Sequence, residues 1–487
     1  MRKRIFALVV VALVAGAIVL AAGEAPDSMP EAAPDGSTLS STWVDPDDDG
    51  ELEVGPGEPF SERTELAPAG EATGEATTMV QISDAHIRDE ESPARAALLD
   101  RLSPLISEAA RPQESLSAQV LAAALRSADG VEADAILETG DLLDSAQANE
   151  LDQAVSILNG GEVDPDTGGP GYDGLQELSN PDPFIYRPDL DSPRHPGLLD
   201  DAQEPFETPA LGIPWYPVLG NHDLLVQGEV PSSPSLEAIA TGDQQLVELD
   251  TGLDAPEDAT TLTPELVERY LGDGLPGRTE TVPVDAERRH LSEDELLTGL
   301  RDASEAGGSG SRLDYSFDVG ERLRVIALDL VNREGGAPGV VAPEQLDWLR
   351  SELDAAGARW VIVASHQPLA ASAGGNKALA ILDGEPGVIA AVSGHTHEAS
   401  LVPRQTPAGG YWLISTPSLS DYPQQARALR VAETGDGVVI ETWMLDTAPD
   451  ELGDIARELA YLDAGGGRPD GNAGEAADRN ARLYLAR

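Results

Sequence analysis

Seven short apolar runs are spread over residues 79–415, and stretches with helical periodicity lie between several of them. The runs are 79–82, 135–138, 215–219, 323–329, 360–364, 388–392 and 412–415. Segments 118–127, 146–158 and 344–356 repeat their apolar residues at the longer spacing of a helix face. The last begins at Pro343, in a first turn where a missing N–H loses no partner. Buried strands separated by helices predict an α/β domain. Further on, "VAETGDGVVIETW" holds two strand-like runs joined by Gly-Asp-Gly, the signal of a hairpin.

Two stretches break the rhythm. Residues 159–212 are rich in Pro, Gly and Asp, and residues 227–312 are acidic, with helical fragments at 264–270 and 293–301. Both read as insertions on one domain spanning 77–447, with a separate small domain in the second as the alternative. At 487 residues and 41% hydrophobic, the chain can bury a core of that size. Residues 26–76 read as a Pro/Gly/acid-rich linker or arm, and 448–487 as a helical tail. Within the arm, "DPDDDGELEVGP" places Asp45, Asp47, Asp49 and Gly50 like the start of a calcium-binding loop. Its twelfth position is Pro56 where such a loop needs Glu, so it reads as an acidic turn.

Residues 1–25 read as a signal peptide or signal anchor. Arg2, Lys3 and Arg4 precede an apolar stretch over 5–22, and Gly23-Glu24-Ala25 offers small residues for cleavage. The chain is therefore expected to be exported: secreted, periplasmic or at the cell surface. Membrane contact would come only through an uncleaved anchor. There is no cysteine, which excludes disulfides, thiolate metal sites and a cysteine nucleophile. The net charge is −56, from 31 basic and 87 acidic residues, and Lys3 and Lys377 are the only lysines. Such a surface repels polyanions, so a nucleic-acid partner is disfavoured. Either adaptation to high salt or a biased genome accounts for the acidity.

Most of the apolar runs end in a polar cluster. Residues 80–82 lead into Ser83-Asp84-Ala85-His86, and 136–139 into Gly140-Asp141-Leu142-Leu143-Asp144. Residues 215–219 lead into Gly220-Asn221-His222-Asp223, and 361–364 into Ser365-His366-Gln367-Pro368. Residues 388–392 lead through Ser393 into Gly394-His395-Thr396-His397. Five of the 7 histidines thus lie just past predicted strand ends, where open α/β sheets build their sites. Carboxylate, amide oxygen and imidazole suit hard or borderline metals. Asp84 and His86, like His395 and His397, are two apart and can point one way from an extended backbone. Gly140, Gly220 and Gly394 would let the chain turn sharply beside an ion. Each cluster alone reads better as a turn or a packed histidine; five in series do not. His195 and His290 lie in the insertions and read as surface residues.

The series Asp-x-His, Gly-Asp-x-x-Asp, Gly-Asn-His-Asp, Ser-His, Gly-His-Thr-His resembles the calcineurin-like metallophosphoesterase superfamily. "SPARAALLDRL", "AQANEL", "GNHDLLVQG" and "STPSLSDYPQQAR" look more narrowly like an exported bacterial subgroup with long inserts. That subgroup often carries a twin-arginine signal, where this chain has Lys3-Arg4. The resemblance implies two facing β-sheets flanked by helices, a four-layer α/β/β/α fold, with two metal ions at the strand ends. Asp84, His86 and His397 would hold one metal; Asn221, His366 and His395 would hold the other, with Asp141 between them. The ions would be divalent or trivalent Mn, Fe or Zn. Asp144 stands where purple acid phosphatases place a tyrosine ligand, so no purple colour is expected. Gln367 stands where many relatives carry a second histidine.

The chemistry implied is phosphoester hydrolysis, of a monoester or a diester, with a small phosphoester as substrate. Two cations about 3.5–4 Å apart would share a hydroxide that attacks phosphorus in line. His222 would protonate the leaving oxygen, with Asp223 orienting and charging it. Two alternatives belong to other classes: an acidic surface protein that binds metal without catalysis, and a nuclease. The intact ligand set argues against the first and the charge against the second.

Overall fold

In the computed structural model the residues described are 36–94, 110–183, 185–249, 275–468 and 471–486. The stretch expected to be an export signal, 1–25, and the expected helical fragment 264–270 lie outside them. So does most of "SPARAALLDRL".

In chain order, β1 (Ser41–Val44), β2 (Glu53–Pro56), β3 (Ser61–Arg63) and β4 (Ala72–Ile82) come first. Next are α1 (Ser117–Gly130), β5 (Ala135–Glu138) and α2 (Ala148–Asn159). The first insertion holds β6 (Gly161–Val163), α3 (Leu198–Ala202) and β7 (Phe206–Thr208). After it come β8 (Trp215–Pro217) and α4 (Asn221–Leu224). The second insertion holds α5 (Pro234–Ala240), β9 (Gln244–Leu249), β10 (Gly277–Thr281) and α6 (Glu293–Ala303). The second half begins with β11 (Tyr315–Val319), β12 (Leu323–Leu328), α7 (Pro343–Ala356), β13 (Trp360–Ser365) and α8 (Gly375–Leu382). It continues with β14 (Val388–Ser393), β15 (Ser400–Arg404) and β16 (Tyr411–Ser415). The hairpin β17 (Gln425–Thr434) and β18 (Gly437–Asp446), then α9 (Glu451–Leu462), α10 (Ala476–Arg479) and β19 (Ala481–Ala486), complete it.

Two sheets carry the fold. One has seven strands in the order β3-β19-β18-β17-β4-β5-β8, the other six in the order β11-β12-β13-β14-β16-β15. Strands β4, β5 and β8 run parallel, as do β12, β13, β14 and β16. The run Val388–Ser393 is buried at every residue, as expected of a central strand covered on both faces. The sheets face each other: Gln81 on β4 donates to the Ser393 carbonyl on β14, and Arg427 on β17 to the Ser415 carbonyl on β16. Helix α1 packs on β17 and β18, and α7 on β12 and β13, so helices flank both sheets. One apolar core links the layers, from Met79 and Val80 to Ile362, Ile389 and Trp412.

The arm differs from the irregular linker expected of it. Strand β3 pairs with β19, and β1 with β2, and Ser41 and Thr42 of β1 are buried. Asp45 closes a turn there, accepting from the backbone N–H of Asp49 and Gly50 and from the Tyr461 hydroxyl. The tail is not wholly helical either. In "ARLYLA" Leu483 and Leu485 are buried and the segment joins the large sheet as β19. Short strands with this little repetition are easily lost beside a helix as regular as α9. The root of the first insertion is closed by antiparallel β6 and β7. The second insertion packs back through α6 on α2 and a bridge from His290 to Gln147. Among the described residues no helix is long and apolar enough to cross a membrane.

Candidate metal centre

Five of the parallel strands lead, just past their C-terminal ends, to one place. Strand β4 supplies Asp84 and His86, β5 supplies Asp141, and β8 supplies Asn221. Strand β13 brings His366, and β14 brings His395 and His397. Donor atoms of Asp84, His86 and His397 lie within 4.8 Å of one another, and so do those of Asp141, His366 and His395. A third set, His86, Asp144 and His222, shares His86 with the first.

The expectation of an extended backbone at these pairs is overturned. Asp84, His86, Asp141, His395 and His397 all have positive φ, between 48° and 67°. Non-glycine residues are rarely held there, and such strain concentrates at functional sites. The glycines also divide. Gly140 turns at φ 93°, but Gly220 and Gly394 are not left-handed. They are small for space: a Cβ at Gly220 would strike the Asp141 backbone nitrogen, and one at Gly394 the Asp84 carboxylate.

The imidazoles of His366 and His397 are each fixed through Nδ1 and turn Nε2 to a carboxylate of the centre. His366 Nδ1 is 2.7 Å from the Thr139 carbonyl, and its Nε2 is 3.0 Å from Asp141 Oδ2. His397 Nδ1 is 2.5 Å from Asp421 Oδ2, and its Nε2 is 3.2 Å from Asp84 Oδ1. His395 turns Nδ1 inward, 3.2 Å from His366 Nε2, and its backbone N–H donates to Asp84. Asn221 Oδ1 accepts from Gln367 Nε2 at 3.1 Å. Gln367, in place of a histidine, thus orients the amide.

The donor set fits a pair of metal ions. His86 is 4% exposed, and neither ring nitrogen has a hydrogen-bond partner among the described residues. Its Nδ1 lies 3.4 Å from Asp144 Oδ1. A buried imidazole with Nε2 unpartnered and Nδ1 in only a long contact with a carboxylate is costly unless it coordinates something. Burial pushes the Asp84 carboxyl up, but His397 and His366 beside it prevail and hold it at about 2. Burial lowers His366, yet Asp141 and Asp84 raise it to about 9. Burial, with His366 alongside, drives His395 down to about 4. Two ionised carboxylates at the bottom of a buried site call for positive charge, and oxygen and nitrogen donors without thiolate suit Mn, Fe or Zn.

His222 and Asp223 do not pair as expected. The Asp223 carboxylate accepts from three backbone N–H groups: Gly220 at 2.7 Å, Leu143 at 2.9 Å and Asp141 at 3.1 Å. Those bonds lace two loops together and use the carboxylate up. The partner of His222 Nδ1 is the Asp144 carbonyl, 2.8 Å away. His290, expected on the surface, is buried, with Nδ1 2.7 Å from the Ser232 hydroxyl; it belongs to no metal-binding group among the described residues. His195 is half-buried beside Glu458.

Sequence reasoning missed three contributors. Asp421 lies within the quoted "STPSLSDYPQQAR", and Gly228 ends "GNHDLLVQG", but neither stretch says what its residue touches. Arg111, which pairs with Asp421, lies in a loop with no local signal.

The calcineurin-like phosphoesterase family model matches residues 77–399. No curated protein matches the chain. Among solved structures, a dimetal phosphatase from Danio rerio aligns at 12% identity and TM-score 0.39, over 77% of this chain and 98% of that one. A purple acid phosphatase from yellow lupin (Lupinus luteus) seeds aligns at 11% identity and TM-score 0.34, over 83% and 57%. PhoD aligns at 10% identity and TM-score 0.32, over 84% and 79%. With its family model spanning both halves of the centre, from β4 to the exit of β14, the chain belongs to the calcineurin-like phosphoesterases, metal-dependent phosphoester hydrolases with a dinuclear centre.

Proposed function

We propose that the chain hydrolyses a small phosphomonoester or phosphodiester at two metal ions. Asp84, His86 and His397 would hold one, Asn221, His366 and His395 the other, and Asp141 would serve both. The observation that carries this reading is the convergence of two oxygen and nitrogen donor sets, buried except for the half-buried His395, beside the half-buried His222.

When bound, metal ions in such a centre lower the pKa of water and offset charge growing on phosphoryl oxygens. The protein's own groups do the rest. Asp84 and Asp141 are fixed by backbone donors, from His395 and His222 respectively, so the carboxylates are oriented before any substrate arrives. The Asp144 carbonyl accepts from Nδ1–H of His222, which keeps a proton on that nitrogen. Nε2 is then the nitrogen that exchanges a proton with substrate. As the P–O bond breaks, the imidazolium gives its Nε2 proton to the departing oxygen and is left neutral, with Nδ1–H intact.

Metal analysis and hydrolysis by one preparation test the reading. Protein stripped with chelator and reloaded with Mn²⁺, Zn²⁺ or Fe should bind two ions and cleave a nitrophenyl phosphate or bis-nitrophenyl phosphate. Two bound ions with no cleavage of any ester in a panel would leave a metal-binding protein. Export belongs to the same reading, supported by the basic and apolar residues of 2–25. Finding the chain, Met1 intact, only in the cytoplasm rejects it.

A further inference from the structure

The His397 ring is held at both ends. Its Nε2 faces Asp84, and its Nδ1 meets the Asp421 carboxylate from the loop after β16. Asp421 in turn meets Arg111, from the loop before α1, through two contacts: Nε to Oδ1 at 2.6 Å and Nη2 to Oδ2 at 3.3 Å. The side chains are buried, at 4% exposure for Arg111 and 6% for Asp421. The Ser418 hydroxyl accepts from the Asp421 backbone N–H at 2.8 Å. Gly466, in the loop after α9, comes so near that a Cβ there would stand 2.6 Å from the Asp421 carboxyl carbon. The loop before α1, which lies 310 residues from Asp421, the loop holding His397 and the loop after α9 thus wall in one carboxylate.

A buried carboxylate is costly unless a cation and hydrogen bonds compensate it. Arg111 supplies the charge in a planar fork that also sets the plane of the carboxylate. An ionised carboxylate on Nδ1–H of a ligand histidine fixes the tautomer, aims Nε2 and makes that nitrogen a better donor. His366 differs, because its Nδ1 meets only the neutral Thr139 carbonyl.

We infer that Arg111 and Asp421 are positioning residues that act through His397 to hold one of the two metal ions, and only that one. The inference rests on the two-metal reading above. A salt bridge that only tied loops together would touch neither ion selectively.

The experiment is metal release from loaded enzyme into excess chelator, followed ion by ion. Wild-type protein should release two ions. In Asp421→Asn, one ion should leave about 10- to 100-fold faster, with the other at the wild-type rate. Excess metal should restore turnover. Arg111→Gln should act in the same direction but less, and the double variant should be no worse than Asp421→Asn. Far-UV circular dichroism establishes folding, and Arg111→Gln carries the test if Asp421→Asn does not fold. Unchanged release in both folded variants overturns the inference, as does equal acceleration of both ions. An additive double variant overturns the role of Arg111 through Asp421. Wild-type protein that holds fewer than two ions overturns the two-metal reading itself; two ions held, with release unchanged, overturn this inference alone.

Discussion

His222 Nδ1 sits 2.8 Å from the backbone carbonyl of Asp144, and the His222 ring stands edge-on to His86 with centroids 4.4 Å apart. A carbonyl partner fixes the ring without taking its proton, so His222 is built to trade a proton at Nε2. Replacing it by Asn should leave both metals bound and lower turnover by roughly 10²–10⁴. The loss should be large for an alkyl phosphate and small for a nitrophenyl phosphate, whose leaving group departs unprotonated. Rates on both esters, beside metal content, check this. Equal losses would assign His222 to positioning the phosphate.

Asp223 is its neighbour but has a different job. The carboxylate accepts three backbone N–H bonds between the loops after β5 and β8. Burial, with the charge of Asp141 nearby, pushes its pKa up to about 7. Asp223→Asn turns an amide NH₂ toward at least one of those donors. Stability should fall on the order of 3 kcal/mol, as when a buried, charge-assisted set of bonds is broken. Activity should fall by one factor on every ester, whatever the leaving group. Denaturant melts and the two-ester comparison separate Asp223 from His222.

Gly228 lies where the second insertion leaves the metal centre. It adopts φ 67°, and a Cβ there would stand 2.5 Å from His222 Nε2. Its carbonyl also accepts from Asn221 Nδ2 at 3.1 Å. Gly228→Ala should therefore displace the ring that faces substrate, and a shift near 1 Å costs roughly 10²-fold in turnover. The conserved quantity should be metal content at Asp84, His86 and His397, which Gly228 does not touch. Full activity in the alanine variant would show that the loop gives way freely.

These sites were legible in the sequence to unequal degrees, for physical reasons. Strands such as Val388–Ser393 are buried on both faces, so their apolar runs stand out, and the ligands follow them directly in the chain. Contacts made across the chain leave no such mark. Asp421 reaches Arg111 over 310 residues, and Asp223 lost its expected role to the Asp144 carbonyl, a backbone group that no residue type announces. Strand β3 escaped notice because it is three residues long and finds its partner, β19, at the other end of the chain; β19 follows directly on the helical pattern of the tail. Left-handed φ at five donor residues was equally unreadable, since Asp and His show no glycine to mark it.

Asp89, Glu90 and Glu91 follow the β4 loop into the protein, and both Glu90 carboxylate oxygens lack a hydrogen-bond partner among the described residues. Burial, then the neighbouring carboxylates of Glu91 and Asp89, push Glu90 from the ordinary 4.5 up to about 10. Burial and Asp89 push Glu91 up to about 8, against the pull of Arg288. At Glu90 the folded state therefore binds more protons than the unfolded chain between pH 4.5 and about 10. The contribution of Glu90 to stability then falls as pH rises through that window, because its deprotonation is easier in the unfolded chain. Glu90→Gln keeps the shape and removes the proton to be lost. The variant should match wild type near pH 5 and melt at a higher temperature near pH 9, flattening the decline. Melting curves of both proteins at pH 5, 7 and 9 measure it. Parallel declines would mean that Glu90 finds a compensating cation in the folded state and does not carry the pH dependence.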